Sequence, residues 1–260
     1  MRHPETSARQ VSVPQTSVSL AALLRPVTGT QAPANGTQPL AAAQQTQQAQ
    51  QAQQVRQAPE AAPGHALPPG QYVPKAWPAL HYGPVPKFHP DTWDLRVSGA
   101  TESGREHRWS WDEIGSLPRR RVVADFHCVT KFTIPEVAWE GIAAAELLRA
   151  APPADAVTHV MVWADYGYSA NLTIDDFAAD DTLLATHRNG AELTPEHGYP
   201  LRLVVPSRYA WKSVKWIRAI EYLTCDRRGF WEERGYHNIA DPWREQRYSY
   251  QELPGEGPPL

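Results

Sequence analysis

The first aromatic ring in this chain is Tyr72, and all ten tryptophans, ten tyrosines and five phenylalanines of its 260 residues lie from that position onward. Rings and branched aliphatics supply most of the area a core can bury, so a stretch without rings has little to offset its ordering entropy. Upstream, residues 44–57 are dominated by Gln and Ala, and Pro, Thr, Ser and Gly surround them. The split predicts a disordered tail over residues 1–70, with at most a frayed helix in the Gln/Ala stretch, and one folded domain over 71–260.

Within the folded part the periodicity points to short elements of both kinds. Trp93, Leu95 and Val97 alternate with polar residues, as in a half-buried strand. Ser110-Trp111-Asp112-Glu113 has the spacing of a capping box and predicts a short helix. Strands are expected over 121–129, 158–164, 201–205 and 213–223, and a helix over 142–150 that Pro152-Pro153 stops. Asn189-Gly190 is a hairpin-type turn. Strands, short helices and proline-rich loops follow one another without a regular βαβ rhythm, so the fold class expected is α+β, with mixed β-sheets and short helices.

The net charge of −3 offers no basic face of the kind nucleic acid requires, so no nucleic-acid partner is expected. Two cysteines, Cys128 and Cys225, are too few for a disulfide framework. No apolar run is long enough for a membrane span, and Met1-Arg2-His3-Pro4-Glu5 lacks the charged-then-apolar pattern of an export signal. A cytoplasmic location is the expectation.

Cys128 stands in Ala124-Asp125-Phe126-His127-Cys128-Val129-Thr130, at the end of an expected strand, where a rigid support can present a reactive side chain. Burial as a small hydrophobe is the commoner fate of a free cysteine, and the local sequence leaves both readings open. Between Leu193 and Trp216 lie His197, Arg202, Arg208, Lys212 and Lys215, interleaved with Tyr209 and Trp211. Fixed cations near a histidine suit a phosphate group; a solvated basic surface is the other reading. In a strand over 213–223, Lys215 would point opposite to Val214 and Trp216. His127, His187 and His197 show no zinc-motif spacing. Cys128 with His127 or His197 is also compatible with a metal-free cysteine hydrolase or transferase.

Four stretches carry a resemblance to the sulfite oxidase-like molybdopterin-binding oxidoreductases, of the single-domain bacterial type. They are Leu80-His81-Tyr82-Gly83-Pro84-Val85-Pro86, Asp125-Phe126-His127-Cys128-Val129-Thr130, His197-Gly198-Tyr199-Pro200-Leu201-Arg202-Leu203-Val204-Val205-Pro206 and Trp211-Lys212-Ser213-Val214-Lys215-Trp216. The resemblance spans residues 77–250. It implies an α+β molybdopterin-binding domain and an enzyme that moves an oxygen atom to or from a small oxo-compound, of the sulfite or sulfoxide type. Electrons would be exchanged with a separate, unidentified electron-transfer partner. In this family a cysteine thiolate binds molybdenum, and the matching position is Cys128; a soft thiolate suits a sulfur-rich metal site, and a partly positive pocket would favour its ionised form. The resemblance further implies a molybdenum–molybdopterin cofactor held by His81, His197, Lys212 and Lys215, with Arg208 a further candidate from the same loop. Tyr166 and Tyr168 are expected along the substrate pocket, Tyr168 as a catalytic proton donor or oxygen-orienting group.

Some features depart from the family pattern. Lys212 stands where members often carry Arg, and the lost bidentate grip on an oxyanion weakens the case for sulfite. Ala210 replaces a common Gly before the tryptophan. No haem-binding domain precedes the core, and the chain after Tyr250 is too short for an immunoglobulin-like dimerisation domain, a departure that leans toward a monomer and leaves the oligomeric state open. These departures keep a catalytically inactive pterin-binding scaffold as a third reading.

Overall fold

A computed structural model of the chain describes residues 64–259; the expected tail lies outside the described residues up to residue 63. Residues 64–70, assigned to that tail from composition, are among the described residues. His65 Nε2 lies 2.7 Å from Asp125 Oδ2, a polar contact that hydrophobicity does not register.

The strands form two sheets. In the first, β2 (His107–Ser110), β1 (Asp94–Gly99), β10 (Ile217–Leu223), β5 (His159–Ala164) and β6 (Ser169–Thr173) are neighbours in that order, and only β1 and β10 run parallel. The second runs β3 (Arg119–His127), β4 (Thr133–Ala143), β7 (Leu183–Arg188) and β8 (Ala191–Glu192), with β9 (Arg202–Val204) paired antiparallel to β7. Among the described residues three short α-helices, α1 (Trp111–Gly115), α2 (Ala144–Ala150) and α3 (Ile174–Ala178), complete an α+β fold, as expected. Among the described residues no helix is long and apolar enough to cross a membrane.

Side-chain alternation on the second sheet explains how the layers stack. Ile142, Leu184 and Leu203 face a core shared with Leu95, Val97, Val160, Val162 and Ile220 of the first sheet. Their neighbours Ala143, Leu183, Ala185 and Val204 face the other way, into a second core with Trp77, Phe126, Phe132, Ile134 and Trp139. Cys128 belongs to that second core, one residue beyond the end of β3.

The capping box forms as expected: Glu113 N donates to Ser110 Oγ, and Ser110 N to Glu113 Oε2 at 2.8 Å. Asn189 and Gly190 turn the β7–β8 hairpin with φ of 51° and 78°. Elsewhere the elements differ from expectation. The long strand β4 was not foreseen, because Pro135 interrupts its pattern at a register shift where Glu136 adopts φ 48°. Ile142 and Ala143 end that strand, so α2 opens two residues later than expected. Residues 213–216 form a loop, because Trp216 adopts φ 57° and strand pairing of β10 begins only at Ile217.

Candidate functional site

Cys128 opens onto a cavity of about 250 Å³ that runs between the second core, the 195–216 segment and the loop around His81. The turn after β3 fixes the thiol: Cys128 N donates to Phe132 O at 2.8 Å, and its carbonyl accepts from Lys131 N at 3.0 Å and Gln71 Nε2 at 3.2 Å. Its Sγ lies 3.2 Å from Thr130 Oγ1. Burial pushes the thiol pKa up, against the opposing pull of Thr130, Lys215 and Arg247. The cations that a partly positive pocket requires are present and pull toward the thiolate, and desolvation outweighs them.

His81, Tyr168, His197 and Lys215 line the same cavity as Cys128. Lys215 Nζ donates to Leu80 O and Glu196 O, each at 2.7 Å, which ties the His81 loop to the basic segment. Burial, then Arg202, pushes its ammonium pKa down to about 7. His197 is buried with Nδ1 2.9 Å from Thr194 Oγ1 and its ring edge-on to Trp77. His81 is exposed and lies edge-on to Trp216 at 5.4 Å. Gly198, at φ 111°, makes the close approach possible, since a Cβ there would sit 2.9 Å from Arg202 Cβ and 3.3 Å from Lys215 Cβ.

Arg208 and Lys212 go elsewhere; both border a separate cavity beside Asp176 and Asp226. Arg208 makes a two-pronged ion pair with Asp176, at 3.1 and 2.7 Å. Lys212 is buried, with Nζ 2.6 Å from Glu232 Oε1 and bonded to Asn171 O and Oδ1. Their charge is already neutralised by carboxylates, which sequence spacing alone does not reveal. Tyr168 lies in the cavity wall, but its hydroxyl donates to Trp211 O at 2.6 Å and burial raises its pKa well above the ordinary value, so it is a weak proton donor. Tyr166 is 60% exposed and is not part of the cavity wall.

The structure adds Arg202, which the sequence reading noted but did not select. It is buried, lines the cavity, and donates to His197 O at 3.0 Å and Ser213 O at 3.1 Å. Its position between Leu201 and Leu203 in a buried strand was the available signal. Tyr236 also lines the cavity, from a loop outside the recognised stretches. A thiolate–histidine pair is not formed with His127, whose Nδ1 lies 2.9 Å from Thr133 Oγ1 and whose ring packs against Trp243.

The thiol of Cys128 thus shares one cavity with Arg202 and Lys215, in a fold of one mixed and one antiparallel sheet. The chain belongs to the oxidoreductase molybdopterin binding domain family, whose profile matches residues 82–231, and it is a molybdopterin-dependent oxidoreductase of the sulfite oxidase-like type. It is similar to the uncharacterized oxidoreductase YuiH of Bacillus subtilis, 39% identical over 185 residues, which cover 71% of this chain and 92% of that protein. The protein-methionine-sulfoxide reductase catalytic subunit MsrP of Campylobacter jejuni is 27% identical over 60% of this chain and 59% of its own length. Human mitochondrial sulfite oxidase is 26% identical over 66% of this chain and 37% of its own length. Among solved structures, the sulfane dehydrogenase SoxCD of Paracoccus pantotrophus superposes with a TM-score of 0.51 at 21% identity, over 56% of this chain and 41% of that one, a likeness of fold.

Proposed function

We propose that this protein holds molybdenum–molybdopterin in the Cys128 cavity and transfers an oxygen atom to or from a small oxo-compound of the sulfite or sulfoxide type. The unit responsible is the domain expected from residue 71, extended back to Gly64. The observation that carries the reading is the pairing of a cavity-facing thiol with Arg202 and Lys215, two cations whose hydrogen bonds among the described residues go to backbone carbonyls. A phosphate-bearing, sulfur-rich group matches both ends of that donor set.

Cys128 would ligate the metal through Sγ, while Arg202, Lys215 and His197 would hold the anionic end, with His81 flanking it. The bound metal would supply a two-electron centre for oxygen-atom transfer, with electrons exchanged with a separate protein. The raised thiol pKa means that Cys128 keeps its proton until a metal displaces it, so loading releases a proton. Lys215 and Arg247 favour the resulting thiolate. Tyr168 fixes the Trp211 carbonyl and packs against Phe230, a positioning task that needs no proton transfer. Tyr82, Trp231 and Tyr236 add an aromatic wall that limits water around the reacting group.

The test is metal content after expression with molybdate in a host that makes the cofactor. Near-stoichiometric molybdenum in the wild type and a large loss or altered metal spectrum in Cys128→Ala is the expected result. Equal metal in both would refute Cys128 as ligand.

A further inference from the structure

A buried cation, Arg188, stands behind the cavity wall. Between β4 and β7, Gly141 pairs with Ala185, Glu140 with His187 and Trp139 with Arg188, so Thr186 is an extra residue on β7. Leu183 and Ala185 face the second core, and regular alternation would send residue 187 there and residue 188 to the opposite face. The extra residue reverses that order and turns Arg188 toward the second core, opposite Trp139.

Arg188 is fully buried there, and its Nε, Nη1 and Nη2 make no hydrogen bond. A guanidinium carries five donors, and leaving all of them dry is costly. Its carbon lies 3.8 Å over the Trp77 ring. Trp77 lines the cavity and meets the rings of His197 at 5.5 Å and Phe126 at 5.1 Å, and Arg202 lies 4.9 Å over Phe126. Arg188 therefore stands behind the Trp77 wall of the cavity, within electrostatic reach of Arg202 and Lys215, which line it. Among the described residues no carboxylate pairs with Arg188, Arg202 or Lys215. Elsewhere the chain neutralises its buried cations, as with Lys212–Glu232 at 2.6 Å and Arg228–Glu252 at 2.5 Å.

We propose that Arg188 is a positioning residue for the anionic end of the cofactor, a fixed charge that acts through the Trp77 ring without touching the ligand. This rests on the cofactor reading above. The bulge stores an uncompensated charge in the cofactor-free protein, and the bound anion removes that penalty. At an effective dielectric of about 20, a unit charge on the order of 10 Å from an anion changes its affinity by about tenfold.

The experiment uses the full chain in two forms. Cofactor-free wild type, Arg188→Met and Arg188→Lys are titrated with inorganic phosphate and, as an ionic-strength control, with chloride, reading melting temperature and heat of binding. The same variants expressed in a cofactor-making host are assayed for molybdenum. The expected pattern has opposite signs: Arg188→Met leaves the cofactor-free protein as stable as the wild type or more so, weakens phosphate about tenfold and lowers molybdenum retention, and Arg188→Lys restores most of both. Should Arg188→Met fail to fold, Arg188 is a packing residue unless Arg188→Lys folds and binds phosphate like the wild type. Unchanged phosphate affinity and molybdenum in Arg188→Met overturn the role of Arg188 alone. No molybdenum in the wild type overturns the cofactor reading and this inference with it.

Discussion

Replacing Lys212 with Met separates a structural from a cofactor-holding role for that residue. In the folded chain Lys212 Nζ meets Glu232 Oε1 at 2.6 Å, with both side chains at or below 1% exposure. Removing the ammonium leaves Glu232 with one donor, Trp211 Nε1 at 2.9 Å, and with Oε2 unbonded. Breaking a buried pair in this way costs about 3–5 kcal/mol, a large part of the ~5–15 kcal/mol that holds a domain together. At roughly 2–4 °C per kcal/mol for a domain of this size, the melting temperature falls by about 10 °C. Lys212→Met with Glu232→Gln removes the stranded charge, so the double variant recovers about 2 kcal/mol or more of the loss. Recovery stays incomplete, because Asn171 O and Oδ1 also lose their donor. Denaturant unfolding of the four proteins gives the cycle, and molybdenum content is read beside it. A double variant as stable as the wild type that no longer retains molybdenum would refute the structural assignment and return Lys212 to the cofactor site.

Two further outcomes follow from the cavity. Lys215 has its pKa lowered to about 7 by burial, from an ordinary 10.5. Between those values the unfolded chain holds one proton more than the folded one, so the cofactor-free protein gains stability as pH rises above 7. Urea unfolding at pH 6.5 and 9 measures this; Lys215→Met flattens the trend, and an equal slope in the variant would show that other groups cause it. Gly198→Ala forces φ 111° on a residue whose Cβ would meet Arg202 Cβ at 2.9 Å, so it costs about 1–3 kcal/mol of stability and displaces both Arg202 and Lys215. Molybdenum content falls with it, and a variant that melts and loads like the wild type contradicts the close-approach argument.

Local signals in the sequence were reliable where the physics is local. The Ser110–Glu113 box, the Asn189-Gly190 turn and the ends of β3 and β5 each depend on a few adjacent residues, and all formed. The four recognised stretches did converge on one cavity, bringing His81, Cys128, His197 and Lys215 together. What escaped depends on pairing across the chain. Pro135 hid β4, since its tolerance there comes from a register shift against β3. The reversal at Thr186 that aims Arg188 is a property of the β4–β7 pairing and leaves no mark in β7 alone. Lys212 looked like an anchor because its partners, Asn171 and Glu232, lie 41 residues before it and in a loop beyond β10.

Six basic residues around the two cavities thus fall into two groups that composition cannot separate. Arg208, Lys212 and Arg228 each have a carboxylate within hydrogen-bonding reach, so their charge is spent inside the fold and their loss is a loss of stability. Arg188, Arg202 and Lys215 are packed against rings and carbonyls that polarise toward them but carry no net charge. A cavity lined by Arg202 and Lys215 and backed by Arg188 is under electrostatic stress until an anion enters, and the entering anion is rewarded in proportion. The same field lowers the cost of ionising Cys128, yet burial still keeps the thiol pKa raised, so the thiol alone is a poor nucleophile and a better ligand. That asymmetry supports the proposed site, in which anion and metal would arrive as one group, over a free-standing cysteine enzyme, because a metal at Sγ would displace the proton that the cations alone do not.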